Sequence, residues 1–212
     1  MTQGNTATPT ARERLRFETR TNHAQLDAVL GDLRPFSSID RYRVYLAGMR
    51  ELYVVFGPSC DRCADLSHLP RQQQELIAAL DADLMSCGAG PHSDSNTEHT
   101  PQPTPSDPPT DAAAWGGAYV LEGSAMGAQM LVRVAREKLP PAATTQFLSA
   151  LAGDGVSRFR AFCAAMEAAD PEASEAVSAA ERVFDHAIQW YRRRLAAMKA
   201  GPRPIEGVEI AT

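Results

Sequence analysis

The stretch AYVLEGSAMGAQM (residues 118–130) lies inside an apolar run with helical spacing, yet it places Gly123 and Gly127 one turn apart, with Ser124, Ala125 and Ala128 around them. A glycine inside a helix costs about 1 kcal/mol relative to alanine. Two of them leave one helical face almost bare of side chains. Such a face suits either the close approach of another helix or the seating of something large and flat.

Outward from this stretch the chain reads as helices separated by clear punctuation. Residues 12–30, RERLRFETRTNHAQLDAVL, set Leu15, Thr19, Leu26, Val29 and Leu30 at helical spacing with no early glycine or proline, which predicts one amphipathic first helix. Ser38 or Asp40 can cap a second helix through RYRVYLAGMRELYVVF, with a stop expected at Gly57-Pro58. Pro70 suits the first turn of a third, PRQQQELIAALDADLM, ending near Cys87-Gly88. Asp111 is the expected cap of the helix that carries the opening stretch and runs to about Lys138, before Pro140-Pro141. A short helix is expected to Leu151, with the GDG of residues 153–155 breaking the chain before SRFRAFCAAMEAA. Asp170-Pro171 then reads as cap and first-turn proline of a long last helix ending at Gly201-Pro202. No strand alternation and no internal repeat interrupts this pattern, so the fold class expected is all-α.

Residues 88–110 are polar and rich in proline, serine and threonine, with nothing to pack, and are expected to form a disordered insertion carrying His92 and His99. The expected organisation is a flexible tail over 1–11, one domain over 12–200 containing that insertion, and a loose tail over 201–212.

The chain of 212 residues with 44% hydrophobic residues can bury a sizeable core. Its net charge of −5 argues against a general nucleic-acid binder. No apolar run approaches the roughly 20 residues needed to cross a bilayer, and the N-terminus lacks the apolar core of a secretory signal, so a cytoplasmic protein with no membrane partner is expected. The cysteines Cys60, Cys63, Cys87 and Cys163 do not suggest a disulfide framework, and the CxxC of Cys60 and Cys63, lacking a second ligand pair, reads first as reduced thiols. His68 is expected at a helix entry and His186 on the last helix beside Phe184 and Trp190.

His23 shares a helical face with Thr19 and Asp27, one turn to either side. A neutral imidazole can bind a metal through one nitrogen while the other donates to a carboxylate that sets its tautomer, a role Asp27 is placed to fill. Taken alone, a surface His–Asp pair is the commoner meaning. Arg12, Arg14, Arg16 and Arg20 precede the histidine, and their planar donors suit carboxylates, although a solvated basic face is the plainer alternative. A flat macrocycle needs an axial ligand on one side and close backbone on the other; haem meets both requirements.

LRFETRTNHAQLD (residues 15–27) resembles the proximal-helix signature of haem oxygenases, in which a basic residue stands seven before the ligand histidine. EGSAMGAQ (residues 122–129) resembles the distal-helix signature of the same family, and YVLEGS is close to its bacterial, biliverdin-producing branch. The two motifs occur in the family's order. The resemblance covers most of residues 12–199, the last third by helix pattern alone.

The resemblance implies a helical bundle with haem between a proximal helix and a kinked distal helix. His23 is then the iron ligand, with Asp27 its outer partner. Gly123 and Gly127 are the distal glycines. Arg16 faces a haem propionate, with Arg20 assisting, and Arg160 or Arg158 takes the other propionate. Tyr119, one turn before Gly123, is expected at the haem edge or as a packed core tyrosine. Where animal members carry an aspartate after the first distal glycine, this chain has Ser124, so Ser124, Gln129 or backbone-held waters are expected to stand in for it in proton delivery.

The implied reaction opens haem, at once cofactor and substrate, to biliverdin, carbon monoxide and ferrous iron, using dioxygen and electrons from an external donor such as a ferredoxin or reductase. No dinucleotide fingerprint occurs in the chain itself. Biliverdin would serve iron acquisition or a biliverdin-accepting phytochrome. The alternatives are a haem carrier or sensor that leaves its ligand intact, supported by Ser124, and a protein using the same fold without haem, as thiamin-degrading relatives do.

Overall fold

The expected helices are present, with shifted ends and junctions, in the computed structural model, which describes residues 9–88 and 109–200, and no strand occurs among those residues. Residues 1–8 of the tail expected over 1–11, most of the insertion (89–108) and the tail over 201–212 lie outside the described residues.

The first helical stretch is jointed rather than continuous: α1 spans Ala11–Glu18 and α2 spans Arg20–Leu33. The joint is Thr19, at φ −86° and ψ 0°, whose buried hydroxyl donates back to the Leu15 carbonyl at 2.7 Å. A threonine that bonds back one turn bends a helix without ending it. The ladder accordingly continues from the Thr19 carbonyl to the His23 amide at 2.9 Å. α1 begins with a reciprocal cap, Thr10 accepting from the Glu13 amide while the Glu13 carboxylate accepts from the Thr10 amide.

Of the two expected caps of α3 (Ile39–Ser67), Ser38 is the one used, its Oγ accepting from the Arg41 amide. The helix does not stop at Gly57-Pro58. Gln73 occupies the space beside Gly57, where a Cβ would lie 1.6 Å from its Nε2, and that nitrogen donates to the Tyr53 carbonyl at 3.0 Å. A proline inside a helix removes one ladder bond, here to the Val54 carbonyl, and bends the helix without having to end it. His68, in the left-handed region at φ 56°, closes α3 instead of opening the next helix. α4 starts at Gln73, later than Pro70, and ends at Ser86.

α5 (Asp111–Gly123) is capped by Thr110, one residue before the expected cap, with Thr110 Oγ1 accepting from the Ala113 amide and Asp111 paired to Arg62. Its Ala112, Ala113, Ala114, Trp115, Gly116, Gly117, Ala118 and Leu121 are all buried. A helix apolar on every side belongs in the interior, and α5 packs against α3, α7 and α8. Small residues permit this: a Cβ on Gly116 would lie 1.9 Å from the Ala176 carbonyl oxygen of α8, and one on Gly117 would lie 2.7 Å from Ser59 Oγ of α3. After α5 the chain tightens into a 3-10 segment, Ser124–Gly127, and resumes as α6 (Ala128–Lys138).

The GDG sequence does not break the chain. α7 runs unbroken over Gln146–Ala169, since Gly155 faces Ala125 where a Cβ would stand 2.5 Å away. At the other junction, Asp170 is the left-handed cap that ends α7 (φ 42°), and Glu172, not Asp170, caps α8 (Ala173–Ala200) through the Ser174 and Glu175 amides. Those bonds, led by the one from the Ser174 hydroxyl, hold the exposed Glu172 carboxyl below its usual range.

The N-terminus of α7 is held by another helix. Asp83 of α4 is fully buried and accepts from the Gln146 and Phe147 amides, each at 2.9 Å, and from Thr144 Oγ1 at 2.5 Å. Removing it leaves two amides unpaired at a helix start, and the buried Phe147 amide then costs the desolvation of an unmade bond. Asp83→Ala is expected to lower the free energy of urea unfolding by about 3 kcal/mol; a loss under about 1 kcal/mol would show that α7 is held in some other way.

Candidate functional site

The bend at Thr19 sets the direction of the turn that carries His23. Its Nδ1 lies 3.0 Å from Asp27 Oδ2, and the side chain is 65% exposed. The ring's edge meets Phe184 of α8 at a centroid distance of 5.9 Å, and Asn22 Nδ2 donates to Asp185 Oδ1 at 3.1 Å, so α2 is pinned to α8 on both sides of the histidine's stripe. A carboxylate on Nδ1 favours the tautomer with the proton there and leaves Nε2 its lone pair. One turn beyond Asp27, Gly31 continues the stripe with nothing within 4 Å of where its Cβ would stand.

The outward side of the 3-10 segment is bare backbone between flexible apolar side chains. Nothing lies within 4 Å of a Cβ placed on Gly127, and one on Gly123 would make only ordinary contact with Phe159, at 3.6 Å. The protein's own packing therefore requires neither glycine, unlike Gly116 and Gly155. Both have negative φ, a conformation open to any residue. Met126 and Met130 flank the segment at 52% and 58% exposure, and Gln129 is also exposed. The Ser124 hydroxyl donates to the Leu121 carbonyl at 2.6 Å, within the segment's own turn. Both α2 and α5 rest on α8, which is the element that relates the two halves of the candidate site.

The cations divide into engaged and unengaged groups. Arg12 pairs with Glu167, Arg14 with Glu18, and Arg20 lies over the exposed ring of Phe17 at 3.9 Å. Arg16 and Arg160 are exposed and make no hydrogen bond or ion pair with a described residue. Tyr119 is half-buried, its ring 5.8 Å from that of Phe159; burial raises its hydroxyl's pKa, and nearby Arg12 and Arg16 oppose the rise. Arg16 and Tyr119, expected at one edge, are thus within electrostatic reach of each other.

Arg158 is placed differently. Its guanidinium is 9% exposed and donates twice to Glu122, at 2.8 and 2.6 Å, and once to the Pro70 carbonyl at 2.7 Å. Three of its five N–H groups are committed to the protein, which leaves Arg160 as the α7 arginine more open to an anion. Glu122 was not singled out from the sequence. A signal was present, since an acid inside an apolar helical run must find a partner when buried. Phe184, the wall beside His23, gave no such signal, because any core phenylalanine reads alike.

Other titratable groups lie elsewhere. His186 is buried on α8, with Nε2 3.2 Å from Glu51 Oε1 and its ring edge-on to Phe56. His92 and His99 are outside the described residues. Among the described residues no group of three or more His, Cys, Asp or Glu side chains could hold a metal ion. A metal bound at His23 would have to bring its other ligands, as a porphyrin does.

All four cysteines are free. Cys60 and Cys63 sit within α3, and burial pushes both thiols well above the usual range. A raised pKa keeps a thiol protonated and unreactive at neutral pH. The native protein is expected to alkylate at Cys60 and Cys63 with iodoacetamide about tenfold more slowly than when unfolded in urea; equal rates would make the pair a reactive site.

The sequence matches no protein-family model and no curated protein. The described chain is an all-helical protein, and among those residues no helix is long and apolar enough to cross a membrane.

Proposed function

We propose that the chain binds haem between His23 and the Gly123–Gly127 backbone and opens it oxidatively to biliverdin, carbon monoxide and ferrous iron. The observation that carries this reading is the pair of glycines. They cost helix stability and the fold does not use them, so their smallness serves something outside the protein's own packing. An imidazole with a carboxylate on Nδ1 and a free Nε2 is the matching donor.

Bound haem would supply the iron that activates dioxygen and the ring that is cut. His23 would ligate the iron through Nε2, and Asp27 would hold the imidazole in that tautomer. Arg16, Arg20 and Arg160 would fix rotation in the plane by meeting the propionates, with Tyr119 at the same edge. Met126 and Met130 would wall the distal side with apolar, adaptable surface and limit the entry of water. Orientation then carries the selectivity. Electrons must come from an external donor such as a ferredoxin or reductase, and the basic surface of α1 suits an acidic one. Biliverdin would pass to iron acquisition or to a phytochrome.

One observation favours a carrier or sensor that leaves haem intact: the Ser124 proton is spent on the Leu121 carbonyl, so its hydroxyl must turn to deliver a proton elsewhere. Haem added with a reductant under air separates the readings. Replacement of the haem band by a biliverdin spectrum supports the enzyme, and a persistent band supports the carrier. In His23→Ala, turnover is expected to fall by about a hundredfold or more and the axial-imidazole spectrum to vanish and return with added imidazole. An unchanged spectrum would remove His23 from the site, and no haem binding by the native chain would overturn the proposal.

Gly127→Ala makes the opposite signs visible in one variant. It is expected to raise the stability of the haem-free protein by about 0.5–1 kcal/mol, because the site is open and helical, while weakening haem binding and turnover. A variant that is less stable without haem would return the glycine to the protein's own packing.

A further inference from the structure

The segment Glu122–Gly127 has two sides, and only one is bare. The other is seated on α7 in matched register. Ala125 fits against Gly155, where a Cβ would stand 2.5 Å from its own. One turn along α7 and one turn back along α5, Arg158 meets Glu122 through two parallel hydrogen bonds. Phe159, adjacent to Arg158, lies under Gly123 and beside the ring of Tyr119. Gly155, Arg158 and Phe159 of one α7 face thus meet Ala125, Glu122 and Gly123 of the segment.

The two fixed contacts differ in kind. Gly155 allows backbone-to-side-chain closeness that no other residue type permits, and so sets how deep the segment lies. The bidentate pair is directional, and at 9% and 14% exposure it is shielded from water, so it sets rotation and position along the axis. The Pro70 carbonyl anchors the same guanidinium to the loop before α4. Inside the α5 end, the Ser124 amide is shared among the Val120, Leu121 and Glu122 carbonyls, a weak ladder that would not fix the turn by itself.

We infer that Arg158 and Gly155 are positioning residues: α7 sets the height and tilt of the Gly123–Gly127 backbone, through Glu122 and Ala125, and so limits which bridging carbon is left open to cleavage on a ring whose rotation the arginines fix. This rests on the haem reading above. Arg158 touches no ligand in this role and acts through Glu122. Its geometry fits a guanidinium fork and not an ammonium, so Arg158→Lys is the conservative variant that discriminates.

The test uses the full chain with Glu122→Gln, Arg158→Lys and the exchanged pair Glu122→Arg with Arg158→Glu. Hydrogen exchange of haem-free protein comes first. Amides 121–130 are expected to exchange about tenfold faster in each single variant, with α4 and α8 unchanged and protection regained in the exchanged pair. Haem turnover comes second, read as the bilin isomers formed. The native chain is expected to give one dominant isomer and the single variants a mixture, with kcat changed more than KM. Unchanged exchange in both single variants would overturn the seat. Faster exchange with an unchanged isomer and unchanged kcat would overturn its positioning role. A native chain that does not cleave haem would overturn the haem reading alone, since the exchange measurement still decides the seat.

Discussion

The structure depends on how closely α5 approaches its neighbours. Its backbone at Gly116 lies against the backbone of Ala176, and Gly117 lies against Ser59, so α8 and α3 both reach the same helix at distances that exclude a single methyl group. Close approach brings many atoms within dispersion range and removes apolar surface from water. Trp115, packed against Phe162 of α7, and the run of alanines fill what remains. With α5 held on three sides, its C-terminal end projects at a defined place, and the 3-10 segment begins there.

The same small-residue chemistry serves two ends along one stretch of chain. Up to Leu121 it permits burial. From Gly123 to Gly127 the outward side faces no protein, and the missing side chains leave backbone open between Met126 and Met130. α8 joins this segment to His23, because it carries both the Ala176 contact with α5 and the Phe184 contact with the imidazole. The candidate site is thus two surfaces that share one helix as their common support.

Buried charge appears where position matters. Asp83 fixes the start of α7 and the Glu122–Arg158 pair fixes the end of α5 against its middle. Burial of a charged pair contributes little net stability, because desolvation offsets the attraction, but its geometry is narrow. By contrast, the ion pairs of Arg12 and Arg14 on α1 are of the weak surface kind.

The sequence alone determined the all-helical class, the order of the main helices, a cap at Ser38 or Asp40 and the end of α4 near Gly88, because these follow from local periodicity and capping. It also marked His23 with Asp27 as a pair, since residues four apart on a helix must be neighbours. Only the tertiary structure decided that α3 passes Pro58 and that α7 passes the GDG, because Gln73 and Ala125 come from distant parts of the chain to occupy the space those glycines leave. For the same reason Arg158 found its carboxylate on α5. Small residues look alike in a sequence whether they receive a neighbouring helix, as Gly116 and Gly155 do, or nothing from the protein at all, as Gly127 does. The difference is set by what the fold brings opposite them.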